Sequence, residues 1–223
     1  MNIFPKLSAE ADNWDVIVIG HLKCNRYFGE SPDAPPRGNP STCTSTLLRG
    51  RDSGGKPYVL IIDPTTRLSA EDYYFDLNRR TGLRPEAVTH VFCTHRHLDH
   101  YEGFQYFPNA KWLAPSPVLE ALRREAAVID AGRIEPADGE FLPGAAALHL
   151  PGHTPDAHGV AFAHVGKKII AAGDCAMTKY HYALDLTDFQ PDPALAGQAA
   201  ESIVNMRESF DIIIPGHDNI IVV

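Results

Sequence analysis

No two cysteines in this chain lie at C-x-x-C spacing. The four present, Cys24, Cys43, Cys93 and Cys175, are scattered. Isolated thiols argue against a disulfide framework and fit a reducing compartment. Basic charge is also scarce. Twenty Lys and Arg stand against 28 Asp and Glu, for a net charge of -8, which disfavours nucleic acid as a partner because phosphate binding needs a basic surface. Apolar runs are short, and none approaches the roughly 20 residues that cross a bilayer. Residues 1–6 show no charged stretch leading into the apolar core of a secretory leader. Neither a Gly-rich phosphate loop nor a Ser-His-Asp arrangement stands out. The expectation is a cytoplasmic protein acting on a small-molecule substrate, with no nucleic-acid or membrane partner and its oligomeric state open.

What is present begins with length. A chain of 223 residues reads as one domain, 1–223. It can bury roughly 70% of its unfolded surface, so a metal site here argues for chemistry rather than for stapling the fold.

Apolar, β-branched segments at 14–24, 41–50, 56–63, 87–95, 146–153 and 211–217 predict strands, and 159–174 predicts a hairpin turning near Gly166. Ser69 with Asp72 predicts a capping box for a helix ending near Gly82. Ser116-Pro117 opens a second helix through about Ala127. Asp192-Pro193 opens a third, along which Leu195, Ala196, Ala199, Ile203 and Met206 recur at helical spacing. This rhythm predicts a layered α/β protein with sheets inside and helices outside. The Pro- and Gly-rich stretch 25–40 reads as a long loop, and long loops in compact domains are often functional.

The densest chemistry is "THRHLDH" at 94–100: His95, His97, Asp99 and His100. If the stretch is extended, His95 and His97 point the same way because side chains alternate with a period of two. Asp99 and His100 then aim at a neighbouring point, so one short loop can begin two metal sites. Three later segments supply further candidates: "LPGHTP" (His153), "AAGDC" (Asp174) and "IPGHD" (His217). Each follows an apolar stretch at a predicted strand end, where open α/β sheets place their sites. Five His and two Asp, with Asp174 the natural bridging carboxylate and no thiolate, suit zinc, iron or manganese. His21, His90, His149 and His164 read as ordinary surface or core residues, and Thr94 and Arg96 as scaffold. Asp63, after "VLII", is either a turn former before Pro64 or a carboxylate that holds a ligand imidazole in its tautomer.

The pattern H-x-H-x-D-H followed by H, D and H, together with "IIDP" at Asp63, resembles the metallo-β-lactamase-fold superfamily of metallohydrolases. The resemblance covers positions 95–217 and implies an αββα four-layer sandwich with two metal ions, Zn2+ first and Fe or Mn as alternatives. It assigns His95, His97 and His153 to one ion and Asp99, His100 and His217 to the other, with Asp174 between them. The implied reaction is attack by a metal-bridging hydroxide, with Asp99 or Asp174 taking a proton.

Within the superfamily, His100 and Asp174 set the chain apart from true β-lactamases of this fold, and His97 from the flavin-linked diiron reductases. It resembles glyoxalase II in its donor set, but "DCAMTKYHYALDLTDFQPDPALA" is more similar to N-acyl homoserine lactone lactonases, except that Met177 stands where those enzymes place a tyrosine. The expected substrate is a small ester, lactone or thioester. A mononuclear-iron thiol or persulfide dioxygenase, using His95, His153 and Asp174, and a phosphodiester hydrolase are the alternatives. Substrate contacts are expected from Tyr27 and Phe28, with Arg26 and Arg37, in the long loop, and from Lys179, Tyr180, His181 and Tyr182.

Overall fold

A computed structural model describes residues 2–22, 42–65, 69–126, 128–184 and 193–223. The loop containing Tyr27 and Phe28 lies outside the described residues, as do Cys24 and Asp192.

Among the described residues, two six-stranded sheets are formed. The first runs in chain order: β1 (Asn13–Val18), β2 (Ser45–Arg51), β3 (Pro57–Ile62), β4 (His90–Phe92), β5 (Lys111–Ala114) and β6 (Ile134–Pro136). Its first three strands pair antiparallel and the rest parallel. The second contains β7 (Glu140–Leu142), β8 (Ala145–His149), β9 (His158–His164), β10 (Lys167–Gly173), β11 (Ile212–Pro215) and β12 (Ile221–Val222). These also stand in chain order, with β10 and β11 the parallel pair.

The central strands are apolar on consecutive residues because both their faces are covered. Leu60 and Ile62 of β3 pack between the sheets with Phe162, Ile169 and Ala171, whereas Ile61 faces outward with Tyr73 and Leu122. Likewise Ile170 and Ala172 of β10 turn to the opposite side, against Ile203 and Met206. Three apolar layers thus separate four layers of structure. Helices α1 (Ala70–Thr81) and α3 (Ser116–Glu125) flank one sheet and α5 (Ala196–Ser209) the other.

The capping box at Ser69 and Asp72 is present, and Gly82 ends α1 in the left-handed conformation. Several strands are shorter than the sequence pattern suggests; β8, expected over 146–153, stops at His149. β1 stops at Val18, and β4 starts only at His90 because Pro85–Ala87 closes a helical turn before it. Strands β5, β6, β7 and β12 span two to four residues each, too short to impose a periodicity of their own.

Strand direction places the site. β3 and β4 are parallel, so Asp63 and His95 emerge at one end. β8 and β10 both pair antiparallel with β9 and β11 is parallel to β10; the segments bearing His153, Asp174 and His217 therefore leave the second sheet at one edge.

Candidate metal centre

The stretch from Thr94 to His97 is not strand. β4 ends at Phe92, and the chain turns through a loop into the short helix α2 (Leu98–Tyr101). The two-residue alternation expected for His95 and His97 therefore does not operate, yet the loop still brings both imidazoles together. His97 Nδ1 lies 3.0 Å from His95 Nε2 and 2.9 Å from His153 Nε2. Asp99 and His100 sit on the first turn of α2, on the side reached by His217.

Two groups result. His95, His97, His153 and Asp174 form one, and Asp99, His100 and His217 the other; within each, the donor atoms lie within 4.8 Å of one another. Asp174 touches both. Its Oδ2 is 3.1 Å from His153 Nε2 and 3.7 Å from His95 Nε2, while its Oδ1 is 3.2 Å from both His100 Nε2 and His217 Nε2.

Hydrogen bonds on the outer side of the rings fix which nitrogen faces inward. Asp63, buried at the end of β3, accepts from Thr94 N–H and Thr94 Oγ1, each at 2.8 Å, and from His100 Nδ1 at 2.9 Å. Because the Thr94 hydroxyl donates to a carboxylate, it accepts from His95 Nδ1 at 3.2 Å. His217 Nδ1 donates to the Thr42 carbonyl at 2.9 Å. When neutral, His95, His100 and His217 thus all present an Nε2 lone pair to the centre, the arrangement by which outer partners orient metal ligands. Cys43, buried below, donates from Sγ to the Asp99 carbonyl at 2.9 Å, and burial pushes its thiol up to about 12.

The donor set fits a divalent cation. His100 Nε2 and Asp174 Oδ1 are buried and make no hydrogen bond among the described residues. Inward lone pairs crowded around a carboxylate at this spacing repel one another unless protons or a cation intervene. Burial pushes His95 and His97 below the usual histidine value, and His153 down to about 4, toward the neutral, donating form. At His100 burial opposes the cation, but Cys43, Asp174, Asp63 and Asp99 outweigh it and hold the ring well above the usual value. At His217 burial is likewise overcome, chiefly by Asp174. Burial would raise Asp174, yet His217, His100 and His153 hold it well below the carboxylate range.

Two glycines allow this packing. A Cβ at Gly216 would run into Asp174 Oδ1, and one at Gly173, where φ is 51°, into the Thr94 hydroxyl. Their signal in the sequence is a glycine one residue before each of Asp174 and His217. The part played by the Thr42 carbonyl has no such signal, since any residue carries one. Of the expected substrate contacts, Lys179, Tyr180 and His181 lie on α4 (Lys179–Tyr182), tied to the His217 loop by Lys179 N–H to Asp218 Oδ2 at 3.1 Å. Met177 is buried, and its carbonyl accepts from His217 N–H at 2.7 Å.

Known proteins agree with this architecture. The N-acyl homoserine lactonase of Bacillus thuringiensis is 25% identical over 162 residues, 68% of this chain and 64% of that protein, and a Bacillus sp. counterpart is 26% identical over 163. The match therefore spans less than two thirds of the length of those lactonases. A Thermotoga maritima structure described as a metallo-beta-lactamase superposes with a TM-score of 0.69 at 19% identity, covering 95% of this chain and 99% of that one. The structure of a B. thuringiensis lactonase variant with N-decanoyl-L-homoserine bound gives 0.61 at 20%, covering 98% and 94%. The family model of the metallo-beta-lactamase superfamily matches residues 38–217, and the chain belongs to that superfamily.

Proposed function

We propose that this chain is a metal-dependent hydrolase that opens a lactone, with N-acyl homoserine lactones as the first substrate class to test. The observation that carries the reading is the position of Asp174, one oxygen toward His95 and His153 and the other toward His100 and His217. In this reading His95, His97 and His153 hold one divalent ion and Asp99, His100 and His217 a second, with Asp174 shared and zinc the expected metal. The lactonases of Bacillus support the substrate class, as does a structure of such an enzyme with N-hexanoyl-L-homoserine at its catalytic metal centre.

A bound pair of divalent ions supplies acidified water and carbonyl polarisation at neutral pH. The chain's own residues do the rest. Asp63, Thr94 and the Thr42 carbonyl engage the outer Nδ1 of His100, His95 and His217 and so aim the three Nε2 atoms inward. Asp174 is buried, so bulk water does not reach its carboxylate. Asp99, its side chain 23% exposed, is the carboxylate able to reach solvent and substrate. It holds the proton taken from water and passes it to the ring oxygen when the C–O bond breaks. Lys179, Tyr180 and His181 are the proposed substrate contacts of the described residues, and Tyr27 and Phe28 complete the set. The protein works as a single domain in a reducing cytoplasm, consistent with Cys43, Cys93 and Cys175 being free and buried. No helix of the described residues is long and apolar enough to cross a membrane.

The Asp99–His100–His217 group favours this over the mononuclear-iron dioxygenase reading, which uses only His95, His153 and Asp174. Metal content of protein purified without added metal, followed by a pH-stat assay of ring opening, tests the proposal. Two zinc ions and acid release from N-acyl homoserine lactones are expected. One iron with thiol-dependent oxygen uptake would overturn it.

A further inference from the structure

Asp156 is buried, and neither carboxylate oxygen makes a hydrogen bond among the described residues. A buried carboxylate left this way is costly unless an opposite charge compensates it. The cation facing it is Arg96, whose Nη1 is 3.8 Å from Asp156 Oδ1 and 3.6 Å from Glu125 Oε1 at the end of α3. Arg96 lies between His95 and His97. Asp156 lies three residues after His153, in a loop closed by Leu150 N–H to the Ala157 carbonyl at 2.9 Å. A second tie crosses between the same two loops, from His158 N–H to the Thr94 carbonyl at 3.0 Å.

The sequence alone casts Arg96 as scaffold. The geometry points to a more specific role: we infer that Arg96 and Asp156 form an ionic latch that sets the His153 loop against the His95–His97 loop and so fixes the spacing of the three imidazoles as a metal site. The backbone tie fixes one point of contact between the two loops, and the latch adds another through side chains. Both residues are positioning residues, since neither is among the grouped donors. Glu125, at the exposed end of the network with a side chain 52% accessible, orients Arg96 only weakly, because exposed ion pairs are screened. The inference rests on the metal-centre reading of the His95 cluster.

The test is a cobalt(II) titration of the metal-stripped full chain, followed by visible absorption, in a D99A background that leaves the three-histidine cluster to report. R96Q and D156N should each raise the dissociation constant roughly tenfold, the scale for losing an outer partner of a metal ligand, and shift the cobalt band. The double variant should bind no more weakly than either single one, R96K should recover part of the loss, and E125Q should stay within twofold. Should D156N fold poorly, R96Q and R96K carry the test, since Arg96 is partly exposed. Unchanged affinity and spectrum in R96Q, whatever its melting temperature, would overturn the latch while leaving the metal centre intact. An E125Q effect as large as that of R96Q would do the same. A parent protein that takes up no cobalt would overturn both.

Discussion

His100 donates from Nδ1 to Asp63 Oδ2 across 2.9 Å, joining a buried ring on α2 to a buried carboxylate at the end of β3. Asp63 holds a left-handed backbone, with φ of 51°, and also receives both Thr94 donors. Asn tolerates that backbone nearly as well as Asp, so D63N isolates the charge. It should destabilise the fold by about 3–5 kcal/mol, as when one partner of a buried pair is removed. Metal affinity should fall roughly 10–100-fold. Denaturant unfolding and chelator competition measure the two effects, and a variant that binds metal as the parent does would refute the role given to Asp63.

D99A should empty the group it shares with His100 and His217 while sparing His95, His97 and His153. Metal stoichiometry should drop by one and kcat for ring opening by roughly 100-fold or more, the scale of a lost proton-transfer group. Full activity with one ion fewer would show that the second ion is dispensable.

G216A tests the packing around Asp174. The added methyl meets Oδ1 with the backbone of Gly173 behind it, so the carboxylate must move. Both groups use Asp174, and the expected result is loss of metal from both, read by elemental analysis. Retention of two ions would mean the loop yields without disturbing the centre.

Acid and metal should compete differently at the two groups. His153 falls to about 4 in the folded, metal-free chain against an ordinary 6.5. The unfolded chain therefore binds more protons between those values, and stability drops as pH falls from 6.5 to 4, by about 3 kcal/mol at most from this residue. His100 and His217 are raised. Their contribution has the opposite sign, present below 6.5 and lost as pH rises through the folded values. Metal entering their group must displace those protons. Calorimetry in buffers of different ionisation enthalpy should find proton release on filling that group, with affinity rising as pH rises. Uptake with no proton release near pH 7 would contradict this.

S69A is the control. It removes a capping box at the start of α1 and should cost about 1 kcal/mol with metal content unchanged. A loss of metal would mean that α1 bears on the centre.

That His95, His97, Asp99, His100, His153, Asp174 and His217 converge was legible in the sequence because metal chemistry restricts candidate ligands to a few side-chain types, and each of the seven falls in a segment that follows an apolar run. The capping box and the hairpin at Gly166 were legible for a similar reason, since each depends on a few adjacent residues. The short strands β5, β6, β7 and β12 were not. They are strands by virtue of their neighbours' hydrogen bonds, and no local pattern marks them.

Sequence by itself thus determined which atoms could bind a cation and that the chain alternates sheet and helix. Tertiary structure decided how those atoms are divided. That Asp174 turns one oxygen to each group, that Asp63 and the Thr42 carbonyl choose the inward nitrogens, and that Arg96 reaches Asp156 all depend on parallel strands ending at one edge. Such contacts join residues up to 175 positions apart, and no local preference encodes them. They exist only once burial of the apolar layers has brought the two sheets face to face.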